Sequence, residues 1–167
     1  MKGLQAASAI VLLSFMVITP RVNAQTLPDT NVKPQVESNQ NPNNEKAVNY
    51  LKQGFSLFQN KKYPQAIKAF NEVIKIQPNN QYAYLGRGAS YLLLEQYQQA
   101  KTDLDKSIQL DSSMAYAHFF RGIANTGLGN KNNAITDLET AANLFDKDGN
   151  TESAQTCRDA IKRLRNA

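Results

Sequence analysis

One cysteine and one histidine occur in the 167 residues, Cys157 and His118. A lone cysteine cannot close an internal disulfide, and Cys157 falls on the apolar stripe of a C-terminal helical stretch, where it reads as a buried, inert thiol. There is no clustered set of metal ligands, no glycine-rich phosphate loop and no nucleophile elbow. Acidic residues pair up at Asp103/Asp105 and at Asp137/Glu139. Their members stand two residues apart on helical stretches, which points them to different faces and argues against paired-carboxylate chemistry. The inventory therefore points away from an enzyme, and no cofactor or metal is expected. Charge of one sign is also scarce. The full chain carries +5, and without Lys2 and Arg21 of its first segment seventeen basic residues face fourteen acidic ones, or +3. That is too mild to imply nucleic acid as a partner.

A long apolar run is missing as well. The stretch from Ala9 to Ile18, broken by Ser14, is about half the roughly twenty residues that a spanning helix requires. With Lys2 before it, and with Pro20-Arg21 leading to the small-x-small pattern Val22-Asn23-Ala24, residues 1–24 read as a secretory signal peptide. The expected product is exported, to a periplasm, a lumen or the cell exterior, and touches a membrane only before cleavage. No cysteine stands near Ala24 to support a lipoprotein route. Residues 25–44 are rich in Pro, Asn, Gln and Thr and lack aromatics. Such a stretch buries too little apolar surface to offset the entropy of ordering it, and it reads as a flexible spacer before one domain over 45–167.

What is present is a period. Residues 47–80, 81–114 and 115–148 overlay without a gap at thirty-four residues each, with Gly54, Gly88 and Gly122 in one column and Ala66, Ala100 and Ala134 in another. Large side chains fill further columns: Tyr50, Tyr84 and His118; Phe70, Leu104 and Leu138; Ile76, Leu110 and Leu144. Within each unit two runs of helical spacing flank a breaker, Asn60-Lys61-Lys62 in the first, so each unit is expected to be a helical hairpin. Pro64 fits the first turn of a second helix, and Gln77-Pro78-Asn79-Asn80 closes the unit. Gly at the eighth position and Ala at the twentieth let the two helices approach closely.

The first unit, with Tyr50, Gly54, Leu57, Tyr63, Ala66, Phe70, Val73 and Pro78, resembles the tetratricopeptide repeat, and the other two agree with it in phase. The resemblance implies an all-α solenoid of three helix-turn-helix repeats plus a capping helix, about seven helices. The third unit departs from the pattern at Asn125 and Lys131, and Ser112 and Asp146 stand where the closing proline belongs, so looser packing is expected there. Residues 151–165 supply the cap: Ala154, Cys157, Ala160, Ile161 and Leu164 form one stripe, and charged residues take the other face. Arg158, Lys162, Arg163 and Arg165 complement the negative end of that helix. Asp146-Lys147-Asp148-Gly149-Asn150 imitates the start of an EF-hand loop, but Thr151 and Cys157 occupy the positions that need Gly and Glu. Gly149 reads instead as a helix stop.

Two charged columns recur only in the later units. Arg87 and Arg121 hold the seventh position, with Asp103 and Asp137 sixteen residues on, while the first unit has Gln53 and Ala69. Charges present together or absent together imply ion pairs, within a unit or between neighbours. His118, in a column of tyrosines, is expected to pack. The resemblance further implies that the first helices line a concave groove through Val48, Leu51, Phe55 and Phe58, then Tyr82, Leu85, Ala89 and Leu92, then Tyr116, Phe119, Ile123 and Thr126. No charge stands among them. Leu51 and Phe55 occupy the places of the first Lys and Asn of the family's carboxylate clamp, so that mode is not expected. The expected function is a non-catalytic interaction module that docks a peptide or helix of another protein, as an assembly or scaffold factor. Self-association through the same groove is the alternative.

Overall fold

The computed structural model describes residues 42–166. The signal-peptide reading of residues 1–24 and the spacer reading as far as residue 41 lie outside the described residues. These contain seven helices and no strand: α1 (Pro42–Gln59), α2 (Tyr63–Ile76), α3 (Gln81–Leu93), α4 (Tyr97–Leu110), α5 (Ala115–Gly127), α6 (Lys131–Lys147) and α7 (Thr151–Asn166). Each helix packs on the next in sequence, and α3 also touches both α1 and α5. The chain is thus a row of three hairpins closed by α7, and the fold expected from the period is present.

The small columns sit where the hairpins are tightest. A Cβ added to Gly88 would lie 2.9 Å from Leu104 Cγ and 3.2 Å from the Ala100 carbonyl oxygen. At Gly122 the same atom would lie 2.9 Å from Leu138 Cγ and 3.3 Å from the Ala134 carbonyl oxygen, and at Gly54 it would strike the Phe70 ring at 2.6 Å. The eighth position of each unit therefore rests on the twenty-fourth. Ala66, Ala100 and Ala134 are wholly buried beside it. A methyl group in this column would have to displace the side chain packed on it from the facing helix, which is why glycine fits there.

The breaker between the helices of a hairpin has one geometry throughout. Lys62 N–H donates to the Leu57 carbonyl and Lys61 N–H to Phe58; Gln96 and Glu95 repeat this with Tyr91 and Leu92, and Asn130 and Gly129 with Asn125 and Thr126. That double bond is a Schellman cap, and its pivot takes the left-handed conformation. The pivots are Lys61 at φ 59°, Glu95 at φ 57° and Gly129 at φ 77°, one column of the repeat. Gly149, at φ 75°, ends α6 in the same way, so the helix-stop reading of that residue holds. Between units the chain turns differently: Asn80 caps α3 by accepting from Ala83 N–H at 3.0 Å while its own amide donates to Gln77 at 2.8 Å.

Two expectations need correction. The first helix starts at Pro42, so Pro42, Asn43 and Asn44, assigned to the spacer, belong to the domain. Proline is well placed in a first turn, and Gln77 donates to Asn44 Oδ1 at 3.2 Å, a contact thirty-three residues away that composition could not show. The third unit is not loose either. Leu138 and Ala134 are fully buried, and Asn125 is 2% exposed with its amide donating to Asp137 at 2.9 Å. Asn125 thus exchanges an apolar contact for a polar one.

Burial pushes the Cys157 thiol up to about 12. The proton is held more tightly in the folded chain, so this contribution to stability is complete below the ordinary thiol value near pH 8.5 and is lost as pH rises toward 12. Native protein at about pH 8 should resist an aromatic disulfide reagent and release one equivalent of thiolate on denaturation. At the left-handed pivots, Lys61→Gly and Glu95→Gly should each stabilise the fold by about 1 kcal/mol, read as a higher urea midpoint at unchanged slope.

Candidate functional site

The first helices α1, α3 and α5 lie side by side and form one wall. The expected groove residues divide in two on that wall. Phe58, Leu85, Ala89, Leu92 and Phe119 are buried, none more than 8% exposed, so these five belong to the core and cannot meet a partner. Position in the repeat fixes which way a side chain faces but not how closely neighbouring helices shut over it. The middle helix α3 has neighbours on both flanks, and Leu85, Ala89 and Leu92 are covered as a result. Phe58 meets Tyr63 edge-on at 5.6 Å between ring centres, and Phe119 meets Phe120 at 5.5 Å. What remains accessible is Val48 at 45% and Tyr82 at 41%, with Leu51, Phe55, Tyr116, Ile123 and Thr126 partly exposed. Phe55 is held edge-on against Phe70, and Tyr116 against Phe145 at 4.8 Å, so the rims are rigid aromatics.

Behind this wall runs a set of ion pairs that both fastens each hairpin and joins it to the one before. Arg87 donates from Nε and Nη2 to the two oxygens of Asp103, each at 2.7 Å, and from Nη1 to Asn71 Oδ1 at 2.6 Å. Arg121 repeats the arrangement, with Nη2 at 2.5 Å from Asp137 Oδ1 and Nη1 at 2.8 Å from Asp105 Oδ1. Each guanidinium thus reaches sixteen residues forward, inside its own hairpin, and sixteen back, into the preceding one. Asp103 and Asp137 are met inside the hairpin, and the partners in the preceding one are Asn71 and Asp105. Asn71 and Asp105 were missed there, although they form a column that also contains Glu139. The first hairpin has no earlier unit among the described residues to reach, and it carries Gln53 and Ala69 at these places.

Electrostatics follow from this geometry. The hydrogen bonds that Arg87 donates to Asp103, against the cost of burial, hold its guanidinium above its ordinary value. Burial works against the charge on Arg121, yet Asp137 and Asp105 outweigh it and its value also rises. Burial pushes the Asp137 carboxyl up, but His118, Arg121 and Asn125 outweigh it and leave it below the usual carboxylate range. His118 Nδ1 is 3.7 Å from Asp137 Oδ1, too far for a hydrogen bond, so the directional contacts to that carboxylate come from Arg121 and Asn125. The four acids of the sequence pairs are therefore all engaged: Asp103 by Arg87, Asp105 by Lys101 and Arg121, Asp137 by Arg121 and Glu139 by Arg165. In the basic cluster, Arg165 meets Glu139 and Arg158 meets Asp146 on α6. These two cations tie the cap down, and Arg165 in its last turn also complements its dipole, although exposed pairs of this kind contribute at most about 1 kcal/mol.

A surface hollow of about 440 Å³ lies elsewhere, lined by Pro42, Glu45, Lys46, Asn49, Tyr50 and Gln53 on α1. Its Asn49, Tyr50 and Gln53 match Ala83, Tyr84 and Arg87, the face by which α3 docks on α2. In α1 that face carries Asn49, Tyr50 and Gln53, with Glu45 and Lys46 beside them.

A family profile described as "TPR repeat" matches residues 54–95, and one described as "Tetratricopeptide repeat" matches residues 82–114. The solved structure of the second such domain of Spaghetti (RPAP3), bound to the HSP90 peptide SRMEEVD, is 32% identical over 62% of this chain and 90% of that one, with a TM-score of 0.60. The chain belongs to the tetratricopeptide repeat family. Its domain is also similar to the second tetratricopeptide domain of human RPAP3, solved with the HSP70 peptide SGPTIEEVD, at 28% identity over 74% of this chain and 98% of that one, TM-score 0.65. The structure of PcrH with the chaperone binding region of PopD shares the fold at 19% identity, over 73% of this chain and 92% of that one, TM-score 0.69. No curated protein sequence matches significantly.

Within this tetratricopeptide domain, Arg121→Leu strands the buried Asp137 and cuts the tie to Asp105. It should destabilise the fold by about 3–5 kcal/mol, and Arg121→Leu with Asp137→Leu should recover most of that loss. Chemical denaturation of the two variants and of Asp137→Leu alone closes the cycle.

Proposed function

We propose that this protein is a non-catalytic interaction module whose wall of first helices binds an uncharged, apolar segment of a partner protein. The observation that carries the reading is the accessible set Val48, Leu51, Phe55, Tyr82, Tyr116 and Ile123, which contains no charged side chain. The related structures support it in kind, since they hold an HSP90 peptide, an HSP70 peptide and a region of PopD. The two heat-shock peptides are acidic toward their ends, with Glu-Glu-Val-Asp as the last four residues. A site for them needs a carboxylate clamp, and Leu51 and Phe55 stand at the places of its first Lys and Asn. An apolar ligand fits this wall better than an acidic one.

The area involved is modest. Among the described residues Val48 and Tyr82 are the large apolar side chains that count as exposed, so the open strip is narrower than the repeat pattern alone implies. Binding then depends on a few aromatic anchors rather than on area. An assembly or scaffold role, in an exported compartment reached through residues 1–24, is the setting we favour, on the pattern of Lys2, Ala9 to Ile18 and Val22-Asn23-Ala24.

A photo-reactive amino acid at position 82, activated in the native compartment, should join the wall to a distinct protein with an apolar segment. Val48→Ser with Tyr116→Ser in the same chain should cut that yield roughly tenfold or more while leaving helical content unchanged. Equal yield from both chains would overturn the reading, and an adduct with a second copy of this chain would assign the wall to self-association instead.

A further inference from the structure

The accessible residues of the wall join across all three first helices along one row. At the second position of each unit Val48 is 45% exposed, Tyr82 is 41% exposed and Tyr116 is partly open. At the fifth, ninth and twelfth positions α3 contributes the buried Leu85, Ala89 and Leu92, which interrupt the surface. Since α3 touches both α1 and α5, and packed helices lie about 8–10 Å apart, the row repeats at that interval. Its two tyrosines also bring polar chemistry. Among the described residues the Tyr82 and Tyr116 hydroxyls have no hydrogen-bond partner, whereas that of Tyr84, also on α3, donates to the Pro78 carbonyl. Charge varies along the row. Residues 42–80 hold six lysines against Glu45 and Glu72, or +4, while 81–114 and 115–148 each hold three cations against four acids, or −1. Lys52, exposed and one turn along α1 from Val48, makes no ion pair among the described residues.

Taking the apolar-segment reading above as its basis, we propose that the ligand is a proline-rich stretch in the polyproline II conformation, laid across Val48, Tyr82 and Tyr116 with one apolar side chain on each hairpin and a carboxylate beyond the α1 end. That conformation has three residues per turn and rises about 3.1 Å per residue, so side chains i, i+3 and i+6 face one way about 9 Å apart. This is the interval of the row. A strand returns its side chains to one face about 6.6 Å apart, out of step with it. An amphipathic helix needs a continuous apolar groove for its stripe, which the closed middle of the wall denies it.

The free hydroxyls fit the same ligand. A polyproline II backbone makes no internal hydrogen bonds, so its carbonyls are open to the phenol donors of Tyr82 and Tyr116. Area argues against a second copy as occupant. At their exposures Val48, Leu51, Phe55, Tyr82, Tyr116 and Ile123 leave roughly 400 Å² at most, about half of what one partner gives to a standard interface. A stretch already extended by its prolines loses little entropy on binding and can be held by few anchors. Electrostatics set its orientation, because the basic first hairpin attracts a carboxylate and the other two do not.

Fluorescence anisotropy of a labelled synthetic peptide on the full chain tests this. The probe is about twelve residues long, an aspartate followed by leucines three apart with prolines between them. It should bind at least about tenfold more tightly than the same residues rearranged to put the leucines two apart, and than a helical alanine-leucine peptide. Tyr82→Phe, which keeps the ring, should weaken it about threefold or more. Lys52→Glu should weaken it about three- to fivefold, and a probe with lysine in place of aspartate should prefer that variant to the natural chain. Equal binding of the rearranged probe, or tighter binding of the helical one, would overturn the proposal and leave the apolar-segment reading standing. Failure of every probe to bind would overturn it too, and the adduct formed at position 82 then decides the broader reading by itself. An adduct to a second copy, or to an earlier part of the same chain, would remove the basis of both.

Discussion

Everything in this protein depends on how closely two helices of one hairpin can approach. Gly88 lies under Leu104 and against the Ala100 carbonyl, and Gly122 repeats the contact with Leu138 and Ala134. That spacing brings the Arg87 fork within 2.7 Å of Asp103 and the Arg121 fork within reach of Asp137. A larger side chain in the column would push the helices apart and break a charge pair that is nearly dry. Apolar packing and ionic contact are therefore not separate sources of order here, because the first sets the geometry on which the second relies.

The fold was legible because its signal is periodic. A residue that recurs every thirty-four positions reports a place in space, and the hairpins, the helix stop at Gly149 and the cap near 151–166 all follow from that. Departures from the period were harder to interpret. Asn125 looked like a flaw in the third unit and proves to be part of the polar cluster around Asp137. Asn44 looked like spacer because its partner, Gln77, is remote in sequence. The Arg and Asp columns were visible, but the acceptors Asn71 and Asp105 change identity from unit to unit and so did not stand out as a column.

The wall of first helices was less legible than the scaffold, for a physical reason. A repeat position specifies direction, whereas accessibility depends on how many neighbours a helix has. Leu85, Ala89 and Leu92 occupy the same positions on α3 as Leu51, Phe55 and Phe58 on α1, yet all three are buried while Leu51 and Phe55 are partly open. The middle of the wall is closed and its outer helices carry most of the accessible aromatic and aliphatic surface. On α3, the centre of the wall, Tyr82 is the exposed large side chain.

The column Asn71, Asp105 and Glu139 has one further consequence. Each member is taken by a cation of a later element: Arg87, Arg121 and, from the cap, Arg165. Every hairpin offers an acceptor onward, but the first has no guanidinium with which to answer one behind it. The stack therefore has a polarity written in side chains. A copy of the first hairpin placed second would leave the acceptor before it unanswered, whereas the third placed directly after the first would bring Arg121 to Asn71 at the natural offset of sixteen. Order along the row is specified at its joints, so these units are not interchangeable bricks.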